Sequence, residues 1–184
     1  VQSGSNKILK IMNRKHTIQK YLEIIEKLKK EKSNIKFSSD FIIGYPGETQ
    51  EDFKQTLKLL KKIKFINSYS FIFSSRPGTP ASNLKMVDEK LAKERLIIFQ
   101  ELSKKIKTEY RETLLNKTIT VLFENKTKDE NKYFGRDEHF NSVIVESNID
   151  LTGKIREIKI NKINQNTLFG EVSSKLAVSY THLT

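Results

Sequence analysis

The sequence of 184 residues contains no cysteine and no tryptophan. Without cysteine, these residues cannot form a disulfide framework, a thiolate metal site, a Cys-ligated iron–sulfur cluster or a cysteine nucleophile. No apolar run approaches the roughly 20 residues of a membrane-spanning helix, and no signal peptide is recognisable at the start. The three histidines, His16, His139 and His182, lack the spacing of a metal site. The sequence therefore predicts no transmembrane helix, no membrane partner and no metal ligands of its own.

Positive charge is abundant and unevenly placed. The chain has 34 Lys and Arg against 22 Asp and Glu, for a net charge of +12. Residues 1–112 hold 24 basic and 13 acidic side chains, whereas residues 113–172 hold 9 of each. A basic front half favours steering toward phosphates. The same richness in Lys, Ile and Asn also follows from an AT-rich genome, so charge alone leaves both explanations open.

The front half alternates helical and strand patterns. Helical periodicity covers residues 6–13 and 17–28 and resumes after Thr49 and after Asp88, with Thr17, Thr49 and Asp88 as N-caps. Thr49 to Asp52 resembles a capping box with Asp in place of Glu. Strand patterns cover residues 35–43 and 68–75, and each ends at a Gly- and Pro-containing breaker. This order is typical of crossover units around a parallel sheet, so we expect an α/β module over residues 1–112.

Short strand patterns replace the helices from about residue 114. Five of them, separated by Asn, Asp and Gly, predict a small β-barrel over residues 113–173; they are Thr118–Phe123, Tyr133–Arg136, Ser142–Glu146, Lys154–Ile163 and Thr167–Val172. The alternation slips at Arg156 and Glu157, which predicts a β-bulge there.

Neither end of the chain fits the two modules. Residues 174–184 have no periodicity, and we expect a tail that is either disordered or foreign to the protein. Residues 1–5 resemble a strand end and loop with no strand before them, so we expect the chain to be a fragment cut inside a domain.

The stretch from Phe41 to Thr49 combines a strand, a Gly-rich turn and a helix start. Ligands of parallel sheets bind at the carboxyl ends of strands, where such loops lie. Gly44 lets the backbone approach a ligand, and Glu48 also suits the positive end of the helix dipole. A tight turn without a ligand explains the same residues.

Three further polar residues and one carboxylate belong to the same predicted edge. Gln2, Ser3 and Arg14 offer polar donors and a guanidinium that suit ribose and carboxylate groups. A plain loop and a helix C-terminal charge explain them equally. Asp40 interrupts an apolar strand, so its carboxylate is expected to be paired, near the site, or at a solvent-exposed strand end.

Four ordered strings together are more specific than any one of them. Residues 2–5, 12–17, 39–49 and 70–81 resemble those of the MiaB-type tRNA methylthiotransferases, which are radical S-adenosylmethionine (SAM) enzymes. The resemblance extends from Val1 to about Val172.

The resemblance implies both a fold and a set of ligand residues. Residues 1–112 would be the C-terminal part of a partial (β/α) barrel, and residues 113–173 a TRAM domain, a small β-barrel that holds RNA. The SAM site would include Gln2, Ser3, Arg14, Asp40, Gly44, Glu48 and Phe73. Residues that contact RNA would include Arg76, Lys126, Lys128, Lys132 and Arg136. Solvated turn lysines explain the last group equally.

The resemblance also implies a reaction on tRNA in the cytoplasm. Such enzymes use SAM and two [4Fe–4S] clusters to methylthiolate C2 of an isopentenylated adenosine on the 3′ side of the anticodon. The family's cluster cysteines would precede Val1, so we expect this chain to ligate no cluster and to be inactive alone. The expected partner is the anticodon stem-loop of tRNA, bound by a monomer.

Alternatives of other classes remain. The threonylcarbamoyladenosine and ribosomal-protein methylthiotransferases are similar, but residues 68–71 favour the MiaB branch, because the others tend to have a His-Val pair there. The chain could instead be a non-catalytic RNA-binding module, or a structural remnant whose unfinished sheet makes it poorly soluble.

Overall fold

This computed structural model describes residues 1–129 and 131–173. These residues form two separate hydrophobic cores. One compact unit ends at Lys107 and the next begins at Thr108. The tail expected at residues 174–184 lies outside the described residues. Within the described ranges, no helix is both long enough and apolar enough to cross a bilayer.

The first unit alternates helices with two strands, as its periodicity predicts. Its elements are α1 (Asn6–Ile11), α2 (Ile18–Glu31), β1 (Ser38–Ile43), α3 (Gln50–Ile63), β2 (Asn67–Ile72), a 3₁₀ turn (Pro80–Asn83) and α4 (Glu89–Glu112), which continues into the second unit. The caps are those expected from sequence. The Thr17 hydroxyl accepts from the Lys20 N–H, and Thr49 forms a reciprocal capping box with Asp52. The Asp88 carboxylate accepts from the Leu91 N–H.

The two strands pair in parallel and expose one face of their sheet. Phe41 and Ile43 of β1 are buried in a core that includes Phe53 of α3 and Phe99 of α4. On the opposite face, Tyr69 and Phe71 of β2 are each 59% exposed. β1 ends at Ile43, as predicted, but begins at Ser38 rather than at residue 35, and β2 ends at Ile72 rather than at residue 75. Beyond the paired residues, the backbone turns at Gly44 (φ 70°), and the Phe73 N–H donates the last bond, to the Ile43 carbonyl. An open two-stranded sheet is observed in this unit, and a (β/α) barrel remains an expectation.

The second unit confirms the predicted β-barrel. It contains β3 (Thr118–Lys126), β4 (Lys132–Asp137), β5 (Ser142–Glu146), β6 (Ile155–Ile163) and β7 (Thr167–Val172). The strands close in the order β3-β4-β5-β7-β6, with a parallel pair only between β5 and β7. Alternate residues point inward, and Phe123, Val143 and Leu168 are completely buried in the barrel core.

The bulge predicted at Arg156 and Glu157 is wrong in position. Pairing of β6 with β3 is continuous from Ile155 to Lys159, and the register shift lies between Ile160 and Lys162, against β7. The apparent slip arises because Ile155, 60% exposed, occupies an outward position. An apolar residue on the outer face imitates a break in alternation without any change in the backbone.

A buried arginine holds the turn between β6 and β7. Arg111, near the end of α4, is only 3% exposed. Its guanidinium donates to three successive carbonyls, those of Asn164, Gln165 and Asn166. The planar fork of arginine suits this arrangement, because several donors point in fixed directions at once.

We expect Arg111→Lys to destabilise the second unit by about 2 kcal/mol, because one ammonium cannot replace the fork of a buried guanidinium and leaves carbonyls of the turn without their donors. Urea unfolding followed by circular dichroism would measure the loss. Arg156→Lys is the matched control, since within the described residues the Arg156 guanidinium donates only to the carbonyl of its neighbour Ile155. Equal effects of the two substitutions would contradict the role assigned to Arg111.

Candidate functional site

A cavity of about 790 Å³ opens at the carboxyl ends of β1 and β2. Its lining is mostly apolar and comes from β1, β2 and the loops that follow them and α1. The lining residues are Ile11, Met12, Asn13, Ile42, Tyr45, Phe71, Ile72, Phe73, Ser74, Arg76, Thr79, Pro80, Ala81 and Leu84. The rings of Tyr45 and Phe73 are in contact, with centroids 4.7 Å apart and planes at 65°. The volume lies within the range of small-molecule sites, and the predicted residues Phe73 and Arg76 both line it.

The carboxylate of Glu48 accepts a hydrogen bond from the turn that follows β1 and so holds the turn in place. Gly44 has a φ of 70°, and a Cβ at this position would lie 2.8 Å from the Ala92 Cβ, so glycine is required on both counts. The Gly44 N–H donates to Glu48 Oε1 at 3.2 Å. Arg95 of α4 donates to the same oxygen at 2.8 Å and to the Glu48 carbonyl at 3.0 Å. The carboxylate thus fixes the turn that borders the cavity.

Glu48 and Arg95 form a buried ion pair, since their side chains are only 1% and 4% exposed. Burial raises the pKa of Glu48, and the Arg95 guanidinium opposes that rise. Such a pair is costly to break, because removing one partner leaves a buried charge without compensation. The structure therefore places Glu48 beneath the turn, where it shapes the cavity edge.

The segment before α1 runs along β1. The Ile42 N–H donates to the Gln2 carbonyl at 3.0 Å, and the Ser39 hydroxyl donates to the Val1 carbonyl at 3.0 Å. Because the next carbonyl, that of Ile43, accepts from Phe73, this segment lies on the edge of β1 opposite β2. Gln2 is therefore placed beside β1 by backbone pairing.

Asp52 anchors this segment to the start of α3. One carboxylate oxygen accepts from the Ser5 hydroxyl at 2.6 Å. The other accepts from the Lys7 ammonium at 2.8 Å and from the Thr49 N–H and hydroxyl at 2.9 and 2.7 Å. Burial alone would raise the pKa of Asp52, but the Lys7, Ser5 and Thr49 donors together hold it well below its usual range.

The backbone of the segment before α1 also packs closely against α3. The Gly4 N–H donates to the Thr56 hydroxyl at 2.9 Å, and the Ser3 hydroxyl lies 3.4 Å from the same oxygen. A Cβ on Gly4 would lie 2.5 Å from the Gln55 carbonyl oxygen, so only glycine fits. The Ser3 side chain is thus engaged with α3, while the backbone of residues 2–5 borders the strand ends.

The charges of Arg14 and Asp40 both influence the pKa of the Val1 amino group. Both are exposed, Arg14 after α1 and Asp40 on the open face of β1. Burial lowers the pKa of the Val1 amino group, Asp40 opposes the shift, and Arg14 adds to it. The two opposite charges are thus both solvent-exposed, and neither side chain is among the residues that line the cavity.

The basic residues predicted to contact RNA are only partly available. Lys132 pairs with Asp129 at 3.0 Å, and Arg136 pairs with Glu124 at 2.9 Å. Lys126 and Lys128 are exposed in the β3–β4 hairpin. Arg76 belongs to the first unit and lines its cavity. Half of the cluster on the barrel is thus neutralised by neighbouring carboxylates.

The long-range contacts of two central residues, Asp52 and Arg95, were not predicted from the sequence. The capping box identifies Asp52 as a local cap, but its bonds to Ser5 and Lys7 join residues more than 40 positions apart. Arg95 had a recognisable signal. It shares one face of α4 with Ala92 and Phe99, at helical spacing, and a charge within an apolar stripe needs a buried partner.

The described residues provide neither a cluster site nor a metal centre. The chain has no cysteine for an iron–sulfur cluster. Within residues 1–129 and 131–173, no three His, Asp or Glu side chains are grouped to hold a metal ion. The chemistry available at the strand ends is that of polar and charged side chains beside an apolar cavity.

Two family models match this chain, one within each of its two units. The radical SAM superfamily model matches residues 1–60, and the TRAM domain model matches residues 112–173.

Similar proteins share one name, tRNA-2-methylthio-N(6)-dimethylallyladenosine synthase. One from Pelagibacter ubique is 55% identical over 97% of this chain and 41% of its own length. One from Wolbachia pipientis subsp. Culex pipiens is 47% identical over 92% of this chain and 39% of its own length. One from Ehrlichia ruminantium (strain Welgevonden) is 42% identical over 97% of this chain. The chain spans about two fifths of the length of these curated relatives.

We expect Asp52→Asn to lower the free energy of unfolding by about 2 kcal/mol near neutral pH, because a charged acceptor of several buried bonds is lost. The folded pKa of Asp52 lies below its unfolded value of about 3.9. Its stabilisation is therefore present above about pH 4 and disappears as the pH falls through the folded pKa. The difference between wild type and variant should shrink on acidification, which urea unfolding at several pH values would measure.

Asp88→Asn is the matched control for this experiment. Asp88 caps α4 through one bond in an exposed position, where Asn is an equally good cap. A loss as large as that of Asp52→Asn, or a difference for Asp52→Asn that is constant with pH, would contradict the anchoring role.

Proposed function

Because the chain belongs to the MiaB-type radical SAM methylthiotransferases, we propose that it forms the SAM- and RNA-binding part of a tRNA methylthiotransferase. The proposed reaction is methylthiolation of C2 of N6-isopentenyladenosine on the 3′ side of the anticodon. The identity to named synthases over nearly the whole chain carries this proposal. The same names favour it over action on threonylcarbamoyladenosine or on a ribosomal protein.

We assign the first module, residues 1–112, to part of a (β/α) barrel. The parallel unit β1–α3–β2 supports this assignment, as does the backbone pairing of Gln2 beside β1, which marks a position for a further strand. The open face with Tyr69 and Phe71 would then face the barrel interior. Residues 113–173 are the proposed RNA-binding module.

We propose that SAM binds at the strand ends of the first unit. The chain fits such a ligand, because Arg14 directly follows Asn13, which lines the apolar cavity, and Asp40 lies on β1, the strand that contributes Ile42 to its wall. The Arg14 guanidinium would pair with the SAM carboxylate, and Asp40 would accept from its ammonium or ribose hydroxyls. Gly44, fixed by Glu48, would let the backbone approach, with Phe73, Gln2 and Ser3 around it. Bound SAM supplies the methyl group and, on reductive cleavage, the radical that the family's reaction requires.

The iron–sulfur clusters do not fit this chain, which offers no thiolate. We therefore place both [4Fe–4S] clusters on residues outside these 184 and expect the chain alone to be inactive. What the chain contributes is binding and orientation of SAM and of tRNA. We propose that it acts as a monomer in the cytoplasm.

In the enzyme that combines this chain with its cluster-binding part, we expect Arg14→Ala and Asp40→Asn each to weaken SAM binding about tenfold or more, because each removes a charge-assisted hydrogen bond. Isothermal titration with SAM would measure the change. Lys15→Ala, next to Arg14 and also exposed, serves as the control. Unchanged SAM affinity in both variants would remove them from the proposed site.

The chain itself should bind an anticodon stem-loop, with log Kd rising linearly with log salt concentration because lysines and arginines displace counterions from phosphates. Filter binding between 50 and 200 mM KCl would test this. A hairpin with the same stem and a changed loop serves as the reference. Equal affinity for both hairpins would refute specific recognition by this chain.

A further inference from the structure

An apolar row crosses the outside of the barrel. Phe134 of β4 pairs with Ile144 of β5, which pairs with Phe169 of β7, and Phe169 pairs with Lys162 of β6. The three apolar residues are partly buried, and none belongs to the barrel core or to the apolar side chains packed around it. We call Phe134, Ile144 and Phe169 the outer row.

The barrel core does not need this row. The neighbours of the outer row along their strands, such as Tyr133, Val143 and Leu168, point inward and are buried. Outward positions of a small antiparallel barrel are ordinarily polar, because they face water. Two aromatic rings at such positions therefore point to contact with something outside the barrel.

A cation lies over each ring. The Arg136 guanidinium carbon is 5.3 Å from the centroid of Phe134, and the Lys162 ammonium nitrogen is 5.8 Å from that of Phe169. Both distances fall within the range of cation–π attraction. The row thus carries positive charge at both ends, although Arg136 also pairs with Glu124.

We propose that the outer row is a stacking surface for unpaired bases of RNA. Strands lie about 4.8 Å apart, so the two rings, two strands apart, are separated by about 10 Å. That spacing suits two bases splayed from a single-stranded loop. Aromatic side chains on a sheet surface, with Arg and Lys beside them for the phosphates, are the usual means of binding single-stranded RNA.

Charge favours RNA over an apolar protein partner. The module of residues 113–172 has as many acidic as basic side chains, yet a cation lies over each ring of the row. The proposal rests on the proposed function, since it names the surface by which the same module would hold tRNA. It adds Phe134, Ile144, Phe169 and Lys162 to the basic residues predicted from sequence.

The test compares variants of the full chain with an anticodon stem-loop that carries 2-aminopurine in its loop. Phe134→Leu and Phe169→Leu keep apolar volume and remove the ring. We expect each to raise Kd about 5-fold or more, to abolish the quenching of 2-aminopurine, and to leave the salt dependence unchanged. Lys162→Gln should instead reduce the slope of log Kd against log salt by about one.

Phe140→Leu is the matched control. Phe140 is the same residue type in the same module, 73% exposed in the β4–β5 turn beside Asp137 and Glu138, and it lies outside the row. We expect its affinity and quenching to equal those of wild type, and unchanged melting temperatures would show that all three Phe variants are folded.

Two failures are distinguishable. If the wild-type chain binds the stem-loop and Phe134→Leu and Phe169→Leu bind equally well, the outer row is not the RNA surface, while the proposed function stands. The same holds if Phe140→Leu loses as much affinity as they do. If the wild-type chain binds no RNA, the RNA-binding part of the proposed function and this inference are both overturned.

Discussion

The Asp52 carboxylate is the constraint on which the candidate site depends. It caps α3, and through Ser5 and Lys7 it holds the segment that runs beside β1. Four donors around one buried carboxylate keep it ionised, so the anchor is both charged and rigid. Because residues 2–5 border the strand ends, the shape of that edge depends on the hydrogen bonds of Asp52 with Ser5, Lys7 and Thr49.

Patterns among neighbouring residues predict much of the fold, but they do not predict which distant strands pair. The caps at Thr17, Thr49 and Asp88 were predictable because each cap and its N–H partner lie three residues apart. The closure of the barrel by a parallel β5–β7 pair, and the bulge after Ile160, depend on which strands meet. Single-strand patterns carry no such information. Arg95 combines both situations. Its position on the apolar face of α4 follows from neighbouring residues, but its partner, Glu48, is distant in the sequence.

Alternation along a strand separates two faces but does not say which one is buried. In β2 the serines alternate with aromatics, and the structure leaves Tyr69 and Phe71 outward. In β6 an outward Ile155 imitates a bulge. In β4 and β7 Phe134 and Phe169 point away from the core. Apolar residues on outward faces are thus what alternation alone does not identify, and they are the residues that such faces offer to a ligand.

The distribution of charge assigns different tasks to the two modules. Residues 1–112 carry the excess of positive charge, whereas residues 113–172 are neutral overall. Long-range attraction of a polyanion therefore arises from the first module. A neutral barrel whose cations are partly paired with Asp129 and Glu124 gains little from counterion release. If that barrel holds RNA, contacts that do not depend on net charge must supply the affinity, and base stacking on aromatic rings is the contact its outer face provides.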